Sequence, residues 1–193
     1  MRKNIKTNYG DFATLTLKAK QEIIFEKILI LDEKINIYYG FYNTPFGDCI
    51  IGLYKDYICY LAFFYVKDNR DIATQELQKR WINANIIFDE FKISQIIPKL
   101  NLFFNNEYVE DGIKLIFKGT ELQLKTWQEL CTIPYGIRTS YSQVAHNLNS
   151  KAVRAVASAI ANNPIAYLIP CHRVISKSGN INKYRWGIKI KER

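Results

Sequence analysis

The sequence predicts an α/β N-terminal half joined to an all-α, helix-turn-helix C-terminal half. Three observations carry that expectation. Before Gly119, aromatic and β-branched runs alternate with turn-forming residues, the pattern of short antiparallel strands. After Gly119 the pattern becomes short capped helices, the last of them rich in alanine. The charge changes at the same place. Eleven Lys and Arg face three acidic residues from Gly119 to Arg193, against sixteen and fifteen in the first 118 residues.

Taken in order, residues 1–35 are mixed and unassigned. Within them, residues 18–31 suit a helix, because Ile23, Ile24, Ile28 and Leu29 lie near helical spacing. Residues 37–42 read as a strand, Thr44-Pro45-Phe46-Gly47 as a turn, and residues 49–54 and 57–65 as two more strands of a meander. Residues 71–82 suit a helix with Asp71 as N-cap and Ile72, Leu77 and Trp81 inward. A second helix over 93–104 is interrupted near Pro98, and residues 113–117 form a strand. Thr120 caps a helix reaching Cys131, with Leu122, Trp127 and Leu130 inward. Ser140 caps a short helix over 141–147, and a turn at 148–150 leads to a small-residue helix over 151–162. These readings divide the chain into an unassigned segment 1–35, an α/β unit 36–118 and a helix-turn-helix unit 119–193.

Composition narrows the function. Apolar residues are 48% and charged residues 23% of the chain, as in ordinary globular proteins. The longest apolar run, 57–66, is ten residues, and a membrane-spanning helix needs about 20. The N-terminus has no apolar signal region, so a reducing, cytoplasmic setting is expected. Cys49, Cys59, Cys131 and Cys171 make no C-x-x-C pair, and His146 and His172 are the only histidines. No metal site and no cofactor are expected. The net charge of +9, concentrated after Gly119, points to a polyanion. Lys151 and Arg154 stand one turn apart among alanines, which suits a helix approaching a groove. A plain helix packed closely on a neighbour reads equally well.

The chemistry centres on residues 163–174, where an apolar run leads into Pro170-Cys171-His172-Arg173. A free thiol has a pKa of about 8.5. Neighbouring His172, Arg173 and Arg154 lower it and favour the thiolate nucleophile. The other three cysteines read as buried structural residues.

Pro170-Cys171-His172-Arg173-Val174 resembles the active-site motif of the O6-alkylguanine-DNA alkyltransferases, the methylated-DNA–protein-cysteine methyltransferases. Gly119-Thr120, Gln123, Trp127 and Ile133-Pro134-Tyr135-Gly136 are similar to the start of that catalytic domain. Ser140-Tyr141-Ser142-Gln143-Val144-Ala145 is similar to its first helix-turn-helix element. Residues 151–159 and Tyr184-Arg185-Trp186-Gly187 resemble the Ada-type bacterial members. The strong likeness covers 119–191, with a weaker one at Thr44-Pro45-Phe46-Gly47. The resemblance implies a ribonuclease-H-like N-terminal domain and a winged helix-turn-helix catalytic domain. The cysteine-rich metal module of the bifunctional Ada regulator has no counterpart in this sequence.

By that resemblance Cys171 accepts the alkyl group and His172 takes its proton through a water. Asn163 braces the turn carrying the cysteine. Tyr141 lies by the rotated phosphate and donates to the purine. Arg154 fills the gap left by the extruded base, and Lys151, Ala155 and Ser158 share the DNA-facing surface. Tyr184, Arg185, Trp186, Lys191 and the Val174 carbonyl line the base pocket. The implied partner is double-stranded DNA carrying O6-alkylguanine, with O4-alkylthymine a second candidate. The protein is expected to be a nucleoid-associated monomer that reacts once.

Some positions depart from the pattern. Leu122 and Thr126 stand where phenylalanine and valine are usual, and Trp186 where some relatives have glycine. The family's carboxylate that orients the histidine falls beyond Arg193, and Glu192 does not occupy its place. Without that group the resemblance implies a less activated thiol. Three other readings stay open. A lesion sensor would bind and flip without reacting, a helix-turn-helix regulator would ignore lesions, and a cysteine hydrolase would use Cys171 and His172 without the basic helices.

Overall fold

The computed structural model describes residues 11–17, 23–28, 35–64, 69–177 and 179. The meander is present: β3 (Ile35–Thr44), β4 (Gly47–Tyr54) and β5 (Tyr57–Phe64) pair antiparallel in sequence. Gly47 closes the first turn at a φ of 128°, backbone that glycine adopts without steric penalty. Around the meander, β1 (Asp11–Leu17), β2 (Ile23–Ile28), β6 (Ala84–Phe88) and β7 (Ile113–Gly119) complete a seven-stranded mixed sheet. Its order is β2-β1-β7-β5-β4-β3-β6. β1 lies antiparallel to both β2 and β7, whereas β7 runs parallel to β5 and β6 parallel to β3.

This corrects the helix expected over 18–31: residues 23–28 are a strand, and the remaining residues of that span lie outside the described residues. Its apolar positions suit either periodicity. The antiparallel β1–β2 ladder, which supplies backbone hydrogen bonds from outside the segment, decides for strand. Strands β1 and β6 carry no signal that the sequence reading used.

Helices cover the two faces of the meander. α1 (Arg70–Arg80) buries Ala73 and Leu77. The Leu77 side chain lies 3.4 Å from where a Cβ on Gly52 would project. Asn69, not Asp71, occupies the N-cap, and Ile72 is 55% exposed. Both depart from the expectation, because the helix docks through the Ala73–Leu77 ridge and turns Ile72 away from it. Trp81 is buried as expected. Pro98 stands in the first turn of α3 (Ile97–Phe104), which separates it from α2 (Glu90–Ser94). Ile93 of α2 sits 3.1 Å from a Cβ built on Gly40. Gly40 pairs with Ile51, one residue from Gly52, so the pleat sends these two contacts to opposite faces. Every residue of β5 from Ile58 to Phe64 is buried, as a strand covered on both faces should be.

The described residues after Gly119 are mainly helical, with one short parallel strand pair that departs from the expected all-α half, because the chain on either side of the helices closes back on itself. α4 (Glu121–Cys131) opens with a capping box, in which Thr120 and Gln123 satisfy each other's backbone N–H groups. Trp127 and Leu130 are fully buried, and Leu122 is half-buried against the core. Thr126 is fully buried too, and its hydroxyl donates to the Leu122 carbonyl at 2.7 Å. Gly119 is where the chain passes from sheet to helix. A Cβ there would stand 3.0 Å from the Trp127 ring. Gly119→Ala should therefore lower stability by about 1–3 kcal/mol through overpacking, read as a lowered denaturation midpoint at unchanged m-value.

Candidate active site

The site is assembled on three short elements. α5 (Tyr141–Asn147) begins at Ser140, whose hydroxyl accepts from the Gln143 N–H at 3.1 Å. α6 (Val153–Ala161) begins later than expected, so Lys151 lies in the connection before it. Residues 148–152 join the two helices. α6 buries Val156, Ala159 and Ile160, and the Trp127 indole N–H donates to the Ala159 carbonyl at 2.9 Å. The opposite side of α6 and its lead-in expose Lys151, Arg154, Ala155 and Ser158. Arg154, Ala155 and Ser158 repeat at helical spacing on one face, and Lys151 precedes them in the exposed lead-in. Two of them are cationic and two are small.

The cysteine segment follows α6 and is tied to the meander. The Leu61 N–H donates to the Pro164 carbonyl at 3.1 Å, and the Ala166 N–H donates to the Leu61 carbonyl at 2.8 Å. Residues around Ile165 thereby form a one-bridge parallel extension beside β5. Close-range bonds then wind the chain through Ile169 to a 3-10 turn at Cys171–Arg173. β9 (Val174–Ile175) leaves that turn and pairs in parallel with β8 (Thr139–Ser140). That pairing brings the start of α5 beside the cysteine turn.

Asn163 is the hub of the loop. Its side chain is fully buried, and the two Nδ2 hydrogens are shared among the Ile165 and Ile169 carbonyls, each at 3.1 Å, and Cys171 Sγ at 3.0 Å. Its Oδ1 accepts from the Ile165 N–H at 2.9 Å. One amide thus fixes both ends of the loop and aims a donor at the sulfur. A donor in that place favours negative charge on the sulfur. Cys171 itself is 4% exposed. Asn163→Ala should leave buried carbonyls unmatched, lowering stability by about 2–4 kcal/mol and leaving Cys171 less reactive toward iodoacetamide; thermal melts and peptide mass spectra would measure the two effects.

The other three thiols are all raised by their surroundings. Burial pushes the Cys49 and Cys59 thiols far up, so both stay protonated at neutral pH. Cys131 is likewise pushed up, by burial first and by the charge of Cys171 second, with Arg173 opposing. The Tyr141 hydroxyl is raised by burial and by Cys171, which keeps it a hydrogen-bond donor at neutral pH. Arg173 donates from Nη1 to the Ile133 carbonyl at 2.9 Å and lies 5.3 Å from the centre of the exposed Tyr135 ring. Burial lowers its pKa, against the pull of Tyr167, Tyr135 and Cys131.

The structure thus brings together Cys171, Asn163 and Tyr141, with His172 next in the chain and Val174 fully buried behind it. Arg154, Lys151, Ala155 and Ser158 occupy a separate exposed surface. Tyr184, Arg185, Trp186 and Lys191 lie outside the described residues. Sequence reasoning missed Tyr167, whose ring stacks on the His172 imidazole at 5.1 Å and 14°. An aromatic residue inside the apolar run before Cys171 was the available signal. Among the described residues, no group of three His, Cys, Asp or Glu side chains is placed to hold a metal ion. Also among them, no helix is long and apolar enough to cross a membrane.

The chain is similar to known proteins in sequence and in fold. Residues 121–193 match the family model for the 6-O-methylguanine DNA methyltransferase DNA-binding domain. An inducible methylated-DNA–protein-cysteine methyltransferase of Bacillus subtilis is 33% identical over 148 residues, covering 72% of this chain and 83% of the relative. One from Methanosarcina acetivorans is 34% identical over 157 residues, covering 81% and 94% respectively. A Mycobacterium tuberculosis OGT crystallised in complex with DNA superposes with a TM-score of 0.62 at 28% identity, covering 80% of this chain and 88% of that one. On the family match, the two relatives and the shared fold, this chain belongs to the methylated-DNA–protein-cysteine methyltransferases.

Proposed function

We propose that the chain repairs DNA by moving an alkyl group from O6 of an alkylated guanine onto Cys171, once per molecule. The observation that carries this reading is the buried Asn163 amide donating to Cys171 Sγ at 3.0 Å. It presents a sulfur prepared for negative charge, and the chain also carries an exposed basic surface suited to DNA.

The reading orders the residues as follows. The winged helix-turn-helix formed by α5 and α6 docks on the duplex with Lys151, Arg154, Ala155 and Ser158 toward the groove. Small side chains allow that close approach. The carbon on O6 lies inside the stack, so the nucleotide must rotate outward before any sulfur reaches it. Arg154 fills the vacated space, and Tyr141 steadies the turned phosphate. Tyr184, Arg185, Trp186, Lys191 and the Val174 carbonyl hold the base.

Cys171 gives its proton through a water to His172. The sulfur then forms a bond to the alkyl carbon as the carbon–O6 bond breaks. The electron pair leaves on guanine, which gains a proton, and the Tyr141 hydroxyl serves as donor on that side. Asn163 positions the sulfur without touching substrate. The thioether has no easy leaving path, which ends the cycle after one turn. The reaction needs no cofactor and no metal.

The same reading takes O4-alkylthymine as a second substrate, and places the protein in the cytoplasm, on the nucleoid, as a monomer. It divides the chain at Gly119 into the sheet unit and the catalytic unit, and takes the N-terminal unit as ribonuclease-H-like. The antiparallel β3-β4-β5 order with β6 parallel beside β3 supports that last point.

The test is a duplex carrying one O6-methylguanine, incubated with the protein under reducing conditions and digested for mass spectrometry. The Cys171 peptide should be heavier by one methyl in place of the thiol hydrogen. Binding without that gain would leave a lesion sensor, and equal binding to undamaged duplex would leave a regulator.

A further inference from the structure

We propose that Tyr167 is the positioning residue for the His172 imidazole, clamped in place by two phenylalanines of the N-terminal half. The proposal deepens the transfer reading and rests on His172 as the proton acceptor for Cys171.

Tyr167 holds a backbone φ of 66°, the left-handed region that bulky residues rarely occupy. Such a conformation persists only where the surroundings over-determine it, and it often marks a functional site. Here the surroundings are aromatic. One neighbour is Phe46 at 4.2 Å and 31°, another is Phe104 at 5.4 Å and 79°, and the third is His172 at 5.1 Å and 14°. The phenol therefore lies between the hydrophobic half of the molecule and the imidazole.

The clamp is rigid for reasons that can be traced. Phe46 sits in the β3–β4 turn, where the buried Thr44 hydroxyl accepts from the Phe46 N–H at 3.0 Å and donates to the Gly47 carbonyl at 2.9 Å. The Phe46 ring also meets Phe104 of α3 at 5.5 Å and Phe63 of β5 at 6.5 Å. Three rings, Phe46, Phe104 and His172, thus meet Tyr167, and Phe63 backs Phe46. Burial, with the nearby Tyr135 hydroxyl, raises the Tyr167 phenol against the pull of Arg173, so it stays neutral.

A near-parallel ring stack fixes the plane of the imidazole and prevents it from swinging about its side-chain torsion. A proton acceptor adjacent to its donor in the chain gains from that restraint, because proton transfer depends on short-range alignment. The N-terminal half would then act in the chemistry, through Phe46, Phe104 and Tyr167, beyond its role as a scaffold.

The experiment uses the full chain and two readouts: methyl transfer from the O6-methylguanine duplex, and alkylation of Cys171 by iodoacetamide scored on the peptide. Tyr167→Asn removes the ring but tolerates the left-handed backbone. It should slow both reactions about tenfold, and Tyr167→Phe should stay within about twofold of the parent. In a His172→Gln background Tyr167→Asn should add no further slowing, since the two residues act as a unit. Phe46→Leu, with the parent melting behaviour as its control, should give a smaller slowing that also vanishes in that background.

Equal slowing in both backgrounds would overturn the proposal and make Tyr167 a packing residue. So would a Phe variant as slow as the Asn variant. Should the duplex leave Cys171 unmethylated while iodoacetamide still follows this pattern, the coupling of Tyr167 to His172 stands and the transfer reading alone falls.

Discussion

Cys171→Ala is expected to abolish methyl transfer outright while leaving duplex binding intact. No other cysteine can substitute. Cys49 and Cys59 are fully buried in the meander, and burial holds both thiols protonated at neutral pH. Cys131 is held up by burial and by the neighbouring sulfur's own charge. A thiol is a far weaker nucleophile than a thiolate, so none should carry a methyl group after incubation. The substitution is also mild for the fold, because it exchanges one small buried side chain for another. The measurement is the methylated peptide in the digest, set beside a binding curve. Methyl groups appearing on Cys131 in the variant, or residual transfer with no modified cysteine, would remove Cys171 from the centre of the mechanism.

The second large effect concerns Arg154. Arg154→Ala should slow transfer from duplex DNA about a hundredfold, since unstacking a base costs a few kcal/mol and each 1.4 kcal/mol is a factor of ten. Transfer from a free alkylguanine base should stay within about twofold, because no stack has to be opened. The structure supports this separation. Arg154 stands on the exposed face of α6, while that helix's buried Val156, Ala159 and Ile160 hold it to the rest of the molecule. Loss of the guanidinium should therefore leave the Asn163–Cys171 contact unaltered. Single-turnover rates on the two substrates decide the matter. Equal slowing on both would mean that Arg154 serves the chemistry or the fold and not the extrusion of the base.

The two experiments probe different links of one chain of causes. Cys171 tests the reacting atom, and Arg154 tests delivery of the substrate to it. Tyr167 lies between them in kind, since it touches neither DNA nor sulfur in the proposed scheme and acts through an imidazole. Lys151→Ala offers a graded comparison. It lies before α6 and is exposed, so its loss should weaken binding to damaged and undamaged duplex alike and flatten the salt dependence.

Local signals in the sequence were decisive where neighbours in the chain supply the stabilising contacts. The Thr120 cap, the Ser140 cap, the β3–β4 turn at Phe46 and the Pro98 break are each complete within a few residues. The motif at residues 170–174 was legible for the same reason, and Asn163 entered through its family likeness. Strand β2 was misread as helix, and β1 and β6 were missed, because pairing with β7, β1 and β3 gives those segments their hydrogen bonds. Ile72 was misassigned because only the docking of α1 selects which of its faces is buried.

Sequence alone determined the family and the Pro170-Cys171-His172-Arg173 motif on which the proposed nucleophile rests, together with the basic residues Lys151 and Arg154. Tertiary structure alone decided that Leu61 of the sheet anchors the cysteine segment, that Asn163 reaches the sulfur, and that Phe46 and Phe104 meet Tyr167 against His172. The physical reason is range. Caps, turns and motif chemistry act between near neighbours in the chain, whereas ring stacks and strand pairing join residues that only the folded core brings into contact.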